Sequence, residues 1–155
     1  MMLNELLIVV LATMSPVLEL RGGIPLGIGL GLPPEVVIPA AFVVNCLIFF
    51  PIYFGLALFY DRFFSRFGWA RKLIDHVHRK GGRYVERYGI IGLAVFVGIP
   101  LPVTGAWTGT AAAWLMGLEW KRSFLAICLG VAIATTIVSV LTLGLSGGIV
   151  ALMAS

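Results

Sequence analysis

Apolar residues fill the chain in runs that polar or helix-breaking residues interrupt, and the run lengths predict its elements. The runs 3–14 and 24–32 are each about half as long as the ~30 Å hydrocarbon core of a bilayer requires. Between them, residues 19–25 combine two charges, two glycines and a proline, so we expect the helix to end there. This pattern favours a re-entrant hairpin of two short helices. One short span over residues 3–20 is the alternative.

Residues 36–60 form a run that is long enough to cross a membrane once. Pro51 lies inside this run and predicts a kink. Asn45 is the polar residue at its middle, and a hydrogen bond to a neighbouring helix is the simplest explanation for it.

The second half of the chain repeats this order. Residues 89–99 and 106–118 are short apolar runs, separated by a break at 100–105 that again contains Ile-Pro and Gly. Residues 123–145 are long enough for a second crossing. The small residues Gly130 and Ala134 predict close helix packing there.

Each half is therefore predicted to be a hairpin followed by one membrane crossing. Because the first half crosses the membrane once, the second half starts on the opposite side and has the inverted orientation. We predict a single membrane domain over residues 1–155, with repeats at 1–60 and 89–155. The fold class is an all-α integral membrane protein with two inverted repeats. Each repeat is a re-entrant helical hairpin plus a transmembrane helix, as in many secondary transporters.

Residues 61–88 join the repeats and carry most of the basic side chains. Their apolar residues recur at helical spacing, which predicts an amphipathic helix in the membrane interface. Its positive charge predicts a cytoplasmic connector and places both termini outside. The basic residues expected to bind lipid head groups are Arg62, Arg66, Arg71, Lys72, Arg79 and Lys80.

Composition supports a membrane protein. The chain is 60% hydrophobic and only 12% charged, which excludes an ordinary soluble domain. Its net charge of +4 lies mostly in the connector, and no nucleic-acid-binding motif is present. Cys46 and Cys128 have no metal-ligand spacing, so we expect small buried side chains, no disulfide and no metal. No cofactor is predicted.

The chemistry is expected at the two breaks. Helices starting after Gly23 and after Thr104 would direct backbone N–H groups towards an anion such as phosphate, and Arg21 could add a contact. Glu19 is the candidate coupling residue, because an apolar cavity disfavours its charged form while Arg21 favours it. An ion pair of Glu19 with Arg21 that only holds the loop is the alternative. The candidate substrate or coupling-ion residues are Glu19, Arg21, Gly22, Gly23, Pro25, Pro100, Pro102, Thr104, Gly105 and Trp107.

Residues 19–27 and 99–109 resemble the two characteristic stretches of the small multi-drug export proteins. That family is distantly similar to the DedA/VTT superfamily of membrane proteins, which has paired re-entrant hairpins and is linked to lipid and polyprenyl-phosphate transport. The resemblance implies an acidic residue in the first hairpin, which Glu19 matches. It also implies an arginine near the second break, where this chain has none; Arg21 lies in the first hairpin instead.

These observations favour a secondary transporter of an anionic lipid, such as a polyprenyl phosphate, or of a small amphipathic solute, driven by H⁺ or Na⁺. One alternative is a multidrug exporter of lipophilic cations that uses Glu19 and Trp107. Another is a membrane scaffold that binds anionic lipid. No catalytic motif is present, so we do not expect an enzyme. The small size of the chain predicts a homodimer.

Overall fold

Seven helices make up the part of the chain that the computed structural model describes, which is residues 2–62, 89–101 and 104–153. The helices are α1 (Met2–Met14), α2 (Glu19–Gly29), α3 (Pro34–Leu47), α4 (Phe49–Arg62), α5 (Gly89–Gly98), α6 (Ala106–Leu115) and α7 (Trp120–Met153). No strand occurs within these ranges. The short helices α1, α2, α5 and α6 confirm the half-length elements predicted from the sequence.

The first interruption lies earlier than predicted. α1 ends at Met14 and α2 already begins at Glu19, so the turn is formed by residues 15–18 and not by the charged stretch. Pro16 accounts for this position, since it has no N–H and disfavours helix at the residue before it. Gly22 and Gly23, which were expected to unwind the chain, lie inside α2.

Gly23 serves close packing instead. A Cβ atom added there would overlap the Thr13 side-chain oxygen on α1. The Thr13 hydroxyl in turn donates a 2.8 Å hydrogen bond to the carbonyl of Val9. Glycine is therefore needed at this position to let α1 and α2 approach each other, which is a common role of small residues between apolar helices.

Near the predicted kink, the first long helix has a one-residue interruption at Ile48, between α3 and α4. Pro51 explains its place, because a proline at 51 cannot donate to the carbonyl of Leu47. Despite the interruption, residues Pro34–Tyr60 are long and apolar enough to cross a membrane. Trp120–Leu145 of α7 is the second such segment in the described residues.

The centre of the molecule is formed by α2, α3 and α7, which contact one another. α1 packs on α2 and α3, and α6 packs on α4 and α7. Gly130 of α7 faces α5, where an added Cβ would lie 2.6 Å from Cβ of Val97. This contact confirms the close packing predicted for the small residues of the second long helix.

Two short helices followed by one long helical segment occur in each half, in the order that the repeat predicts. The re-entrant course of the short helices and the inversion of the second half stay predictions. The amphipathic connector helix falls mainly on residues 63–88 and so lies outside the described residues.

Candidate functional site at the two helix interruptions

Glu19 begins α2 in an unusual backbone conformation. Its φ of 49° is the only positive φ among the described residues that are not glycine. It falls in a region that L-residues with long side chains rarely adopt. Its side chain is directed into the protein, and the residue is only 5% exposed. Strained backbone of this kind tends to occur where function or tight packing requires it.

The Glu19 carboxyl group lies against the start of α6. Its Oε1 atom accepts a 3.2 Å hydrogen bond from the backbone N–H of Trp107, in the first turn of that helix. Gly105 precedes α6 as its N-cap, and a Cβ atom there would overlap the Glu19 carboxyl group. The first residue of α2 therefore supplies the side-chain acceptor that caps a helix of the second half, and Gly105 provides the space for it.

Arg21 makes the complementary contact with the end of α5. Its Nη2 atom donates 3.3 Å hydrogen bonds to the carbonyl of Ile99 and to the hydroxyl oxygen of Thr104. The carbonyl end of a helix carries partial negative charge and the N–H end partial positive charge. Arg21 therefore complements the partial negative charge at the end of α5, and Glu19 complements the partial positive charge at the start of α6.

Thr104 closes the short segment between α5 and α6. Its hydroxyl oxygen lies 2.7 Å from the carbonyl of Ile99 and accepts a 3.3 Å hydrogen bond from the backbone N–H of Leu101. Thr104 was predicted as the N-cap of α6, but that position belongs to Gly105. Thr104 instead stabilises the turn that Arg21 binds.

Glu19 and Arg21 do not form a direct ion pair. Among the described residues, the only ion pair with an N···O distance below 4 Å is that of Arg122 with Glu119, at 3.4 Å near the start of α7. The alternative predicted an ion pair of Glu19 with Arg21 that only holds the loop; the direct pair is absent, and each side chain instead bonds to the second interruption. Two residues apart on a helix, their side chains diverge and reach opposite ends of the second interruption.

Trp107 connects the two interruptions a second time. Its indole N–H donates a 3.2 Å hydrogen bond to the carbonyl of Met14, the last residue of α1. That carbonyl is one of those left without a partner where a helix ends. The sequence made Trp107 a candidate substrate residue; in the structure its indole group bonds to the end of the first short helix.

An apolar groove of about 530 Å³ runs along α2 and α7, and Arg21 lies in its wall. This volume falls in the range of small-molecule sites. The Thr142 hydroxyl, also in the wall, donates to the carbonyl of Val138 and so offers no free proton to a ligand. The other lining residues include Pro25, Ile28, Pro100, Val138, Leu141 and Leu145. Arg21 is therefore the charged group of an otherwise apolar groove.

A second, narrow cavity without room for a water molecule adjoins Glu19 and Arg21. Its walls include Glu19, Arg21, Gly105 and Asn45 of α3. Asn45 is 1% exposed, and its Oδ1 atom has no hydrogen-bond partner. The sequence marked Asn45 only as a polar residue in a span; its apolar neighbours could not show that it faces Glu19 and Arg21.

The structure thus unites most of the predicted site. Glu19 contacts Gly105 and Trp107, and Arg21 contacts Thr104. Pro25 and Pro100 line the groove. The predicted anion site at two free helix starts is wrong, because α2 starts at Glu19 and the first turn of α6 is bonded to Glu19. Arg62 is exposed at the end of α4. Pro102 and the remaining basic connector residues Arg66, Arg71, Lys72, Arg79 and Lys80 lie outside the described residues.

A family model described as "Putative small multi-drug export protein" matches residues 19–137, which is most of the chain. The chain belongs to this family. The match begins at Glu19, directly after the first interruption, and includes the second interruption, the groove residues of α2 and about the first half of α7. The small multi-drug export family and the two long apolar helices together indicate a membrane location.

No curated protein and no solved structure matches the chain. The similarity to the DedA/VTT superfamily stays a prediction. The resemblance to the small multi-drug export proteins is confirmed by the family match.

Proposed function

We propose that this protein is a secondary transporter of an anionic amphiphile, with Arg21 as the head-group site and the groove as the site of the apolar chain. The single observation that carries this proposal is the position of Arg21 in the wall of an apolar groove of about 530 Å³. A molecule with one anionic group and a hydrocarbon chain complements both features. Lipids such as polyprenyl phosphates and smaller amphipathic anions share this chemistry.

The difference in burial between the two charged residues supports an anion over a cation. Glu19 is almost fully buried, and its carboxyl group is bonded to the backbone of Trp107. Arg21 is partly exposed, and guanidinium groups bind phosphate and carboxylate through several N–H donors at once. An incoming anion meets Arg21 at the groove, whereas a cation would have to detach Glu19 from α6.

Glu19 is our candidate for the coupling residue. Its carboxyl group fixes the first hairpin to α6, and this interaction is stronger with a carboxylate than with a neutral acid. Uptake of a proton by Glu19 would weaken the contact and allow the two interruptions to separate. Movement of two repeats against each other around a central site is the usual route to alternating access.

The family description favours a second candidate, the export of drugs, among which lipophilic cations would use Glu19 as counter-charge. The two candidates differ in the residue that contacts the substrate. They can therefore be separated by comparing substitutions of Glu19 and Arg21 with ligands of opposite charge.

The test uses the full chain reconstituted in phosphatidylcholine vesicles with a pH gradient, and two probes: a fluorescent polyprenyl phosphate and tetraphenylphosphonium. We expect Arg21→Gln to lower binding and flux of the phosphate probe by about tenfold or more, the effect of losing one charge-assisted hydrogen bond. Glu19→Gln should make the flux independent of the pH gradient. Arg122→Gln is the matched control, because Arg122 is an exposed arginine that does not line the groove.

Transport of tetraphenylphosphonium but not of the phosphate probe, with loss in Glu19→Gln and not in Arg21→Gln, would establish the drug exporter instead. Equal loss in Arg21→Gln and Arg122→Gln would contradict the proposed head-group site.

We also propose that the protein is a homodimer, because two long apolar segments are too few to enclose a transport path. Native mass spectrometry with lipid retained reports its stoichiometry, and a monomer that transports would exclude it.

A further inference from the structure

Three buried side-chain atoms have no hydrogen-bond partner within the described residues: Nε of Arg21, Oδ1 of Asn45 and Oγ of Ser139. Arg21 and Asn45 line the same narrow cavity, and Ser139 is not among its lining residues. Buried polar atoms without a partner are rare in native proteins, and those that persist call for an explanation.

The two unpartnered atoms in this cavity are chemically complementary. Nε of Arg21 carries a proton that it can donate, and Oδ1 of Asn45 is an acceptor. The space between the cavity walls is too narrow for a water molecule that could bridge them. A direct hydrogen bond therefore requires the Arg21 side chain to move towards α3.

Such a movement would exchange one set of contacts for another. At present the Nη2 atom of Arg21 bonds to Ile99 and Thr104 and so ties the first half of the chain to the second. Asn45 belongs to α3, which lies in the same half as Arg21 and packs directly on α2. Contact with Asn45 would keep the guanidinium paired while freeing the second interruption.

We propose that Asn45 is the alternate partner of Arg21 and receives its guanidinium when the two interruptions separate. The Arg21 side chain then has two positions, one that joins the halves and faces the groove, and one held within the first half. The role of this exchange in transport rests on the proposed function. The two positions of Arg21 are nevertheless measurable without any substrate.

The test compares three variants of the full chain in lipid nanodiscs. Asn45→Leu keeps the branched side-chain shape and removes the acceptor, and Asn45→Asp supplies a charged acceptor. Ser139→Ala is the matched control, because it removes the other unpartnered buried oxygen from α7. The readouts are the melting temperature, the Kd for the polyprenyl-phosphate probe, its flux, and the EPR distance between spin labels at Leu30 and Ile91. Both label sites are exposed, and Cys46 and Cys128 are replaced by Ala.

We expect Asn45→Leu to keep the Kd within twofold, since Arg21 stays at the groove, and to lower flux at least tenfold, since its second position is lost. Asn45→Asp should hold Arg21 inward, raise the Kd at least tenfold and shift the distance distribution. Ser139→Ala should leave all of these values close to those of the unsubstituted chain. Asn45→Ser, which is too short to reach the guanidinium, is expected to behave as Asn45→Leu and serves if the leucine variant does not fold.

The proposal is overturned if the serine or leucine variant transports like Ser139→Ala, or if Asn45→Asp leaves both the Kd and the distance distribution unchanged. Failure of the proposed function has a different signature. In that case the unsubstituted chain binds no phosphate probe, while the Asn45→Asp distance shift still reports the second position of Arg21.

Discussion

The carboxyl group of Glu19 caps α6 by accepting a hydrogen bond from the backbone N–H of Trp107, 88 residues further along the chain. The two conspicuous motifs of the sequence are thus parts of one contact. The charge of the first motif satisfies a helix end of the second, which has no charged residue of its own between Gly98 and Gly109. Arg21 does the same for the opposite helix end.

Replacing Glu19 should destabilise the protein. We expect Glu19→Ala to cost about 1–3 kcal/mol, because it leaves the first turn of α6 without its buried acceptor. Glu19→Gln retains an acceptor oxygen and should cost less. The measurement is thermal unfolding in detergent, with Glu119→Ala as the control, since Glu119 is exposed. Equal stability of the Glu19 and Glu119 variants would contradict the capping role.

Gly105→Ala should disturb the same contact from the other side. The added Cβ would overlap the Glu19 carboxyl group, so we expect a loss of stability similar to that of Glu19→Ala. When both residues are replaced, the overlap disappears, and the double variant should be clearly more stable than the sum of the single effects predicts. Gly92→Ala is the control, because a Cβ there meets nothing within 4 Å. Additive effects in the double-mutant cycle would refute a direct contact.

Gly23→Ala should separate α1 from α2, since its Cβ would overlap the Thr13 side-chain oxygen. We expect a lower melting temperature, with partial recovery in the Gly23→Ala/Thr13→Ala double variant. Thr13→Ser retains the oxygen and should give no recovery. Gly29→Ala, on the same helix but without a neighbour within 4 Å, should leave the melting temperature nearly unchanged. Recovery with serine as well as alanine would disprove this explanation.

The predicted orientation can be tested by labelling single cysteines in a background without Cys46 and Cys128. Because the connector is rich in basic residues, a cysteine at position 62 should react with a membrane-impermeant maleimide only from the cytoplasmic side. A cysteine at Asn4 should react only from outside. Both positions are exposed. Reaction of both cysteines from the same side would contradict two inverted repeats.

The order and approximate positions of the helices could be predicted from the sequence, although α7 extends to Met153, beyond the predicted end at 145. Runs of apolar residues bounded by Ser-Pro, Pro-Pro and Gly or Pro clusters fix where a chain can stay helical, and this rule is local. Prediction failed at Glu19 to Gly23, where glycines and charges suggested an unwound chain. Gly23 stays helical because its missing side chain lets α1 approach, and that neighbour is not visible in the local sequence.

The partners of polar residues were the harder part. Cys46 and Cys128 were both expected to be buried side chains; Cys46 of α3 is buried, but Cys128 of α7 is only partly buried. Both are free cysteines. Asn45 was recognised as a polar residue in a span, but its proximity to Glu19 and Arg21 depends on how α3 packs against α2.

The sequence by itself determined that the chain forms apolar helices of two lengths in two similar halves, because helix length and breakage depend on neighbouring residues alone. It also singled out Glu19, Arg21 and the second interruption as the candidate site. Only the tertiary structure decided that Glu19 binds the start of α6, that Arg21 faces both the groove and Asn45, and that the two charges do not pair with each other. Those contacts depend on the packing of helices far apart in the chain, where burial and hydrogen bonding select one arrangement.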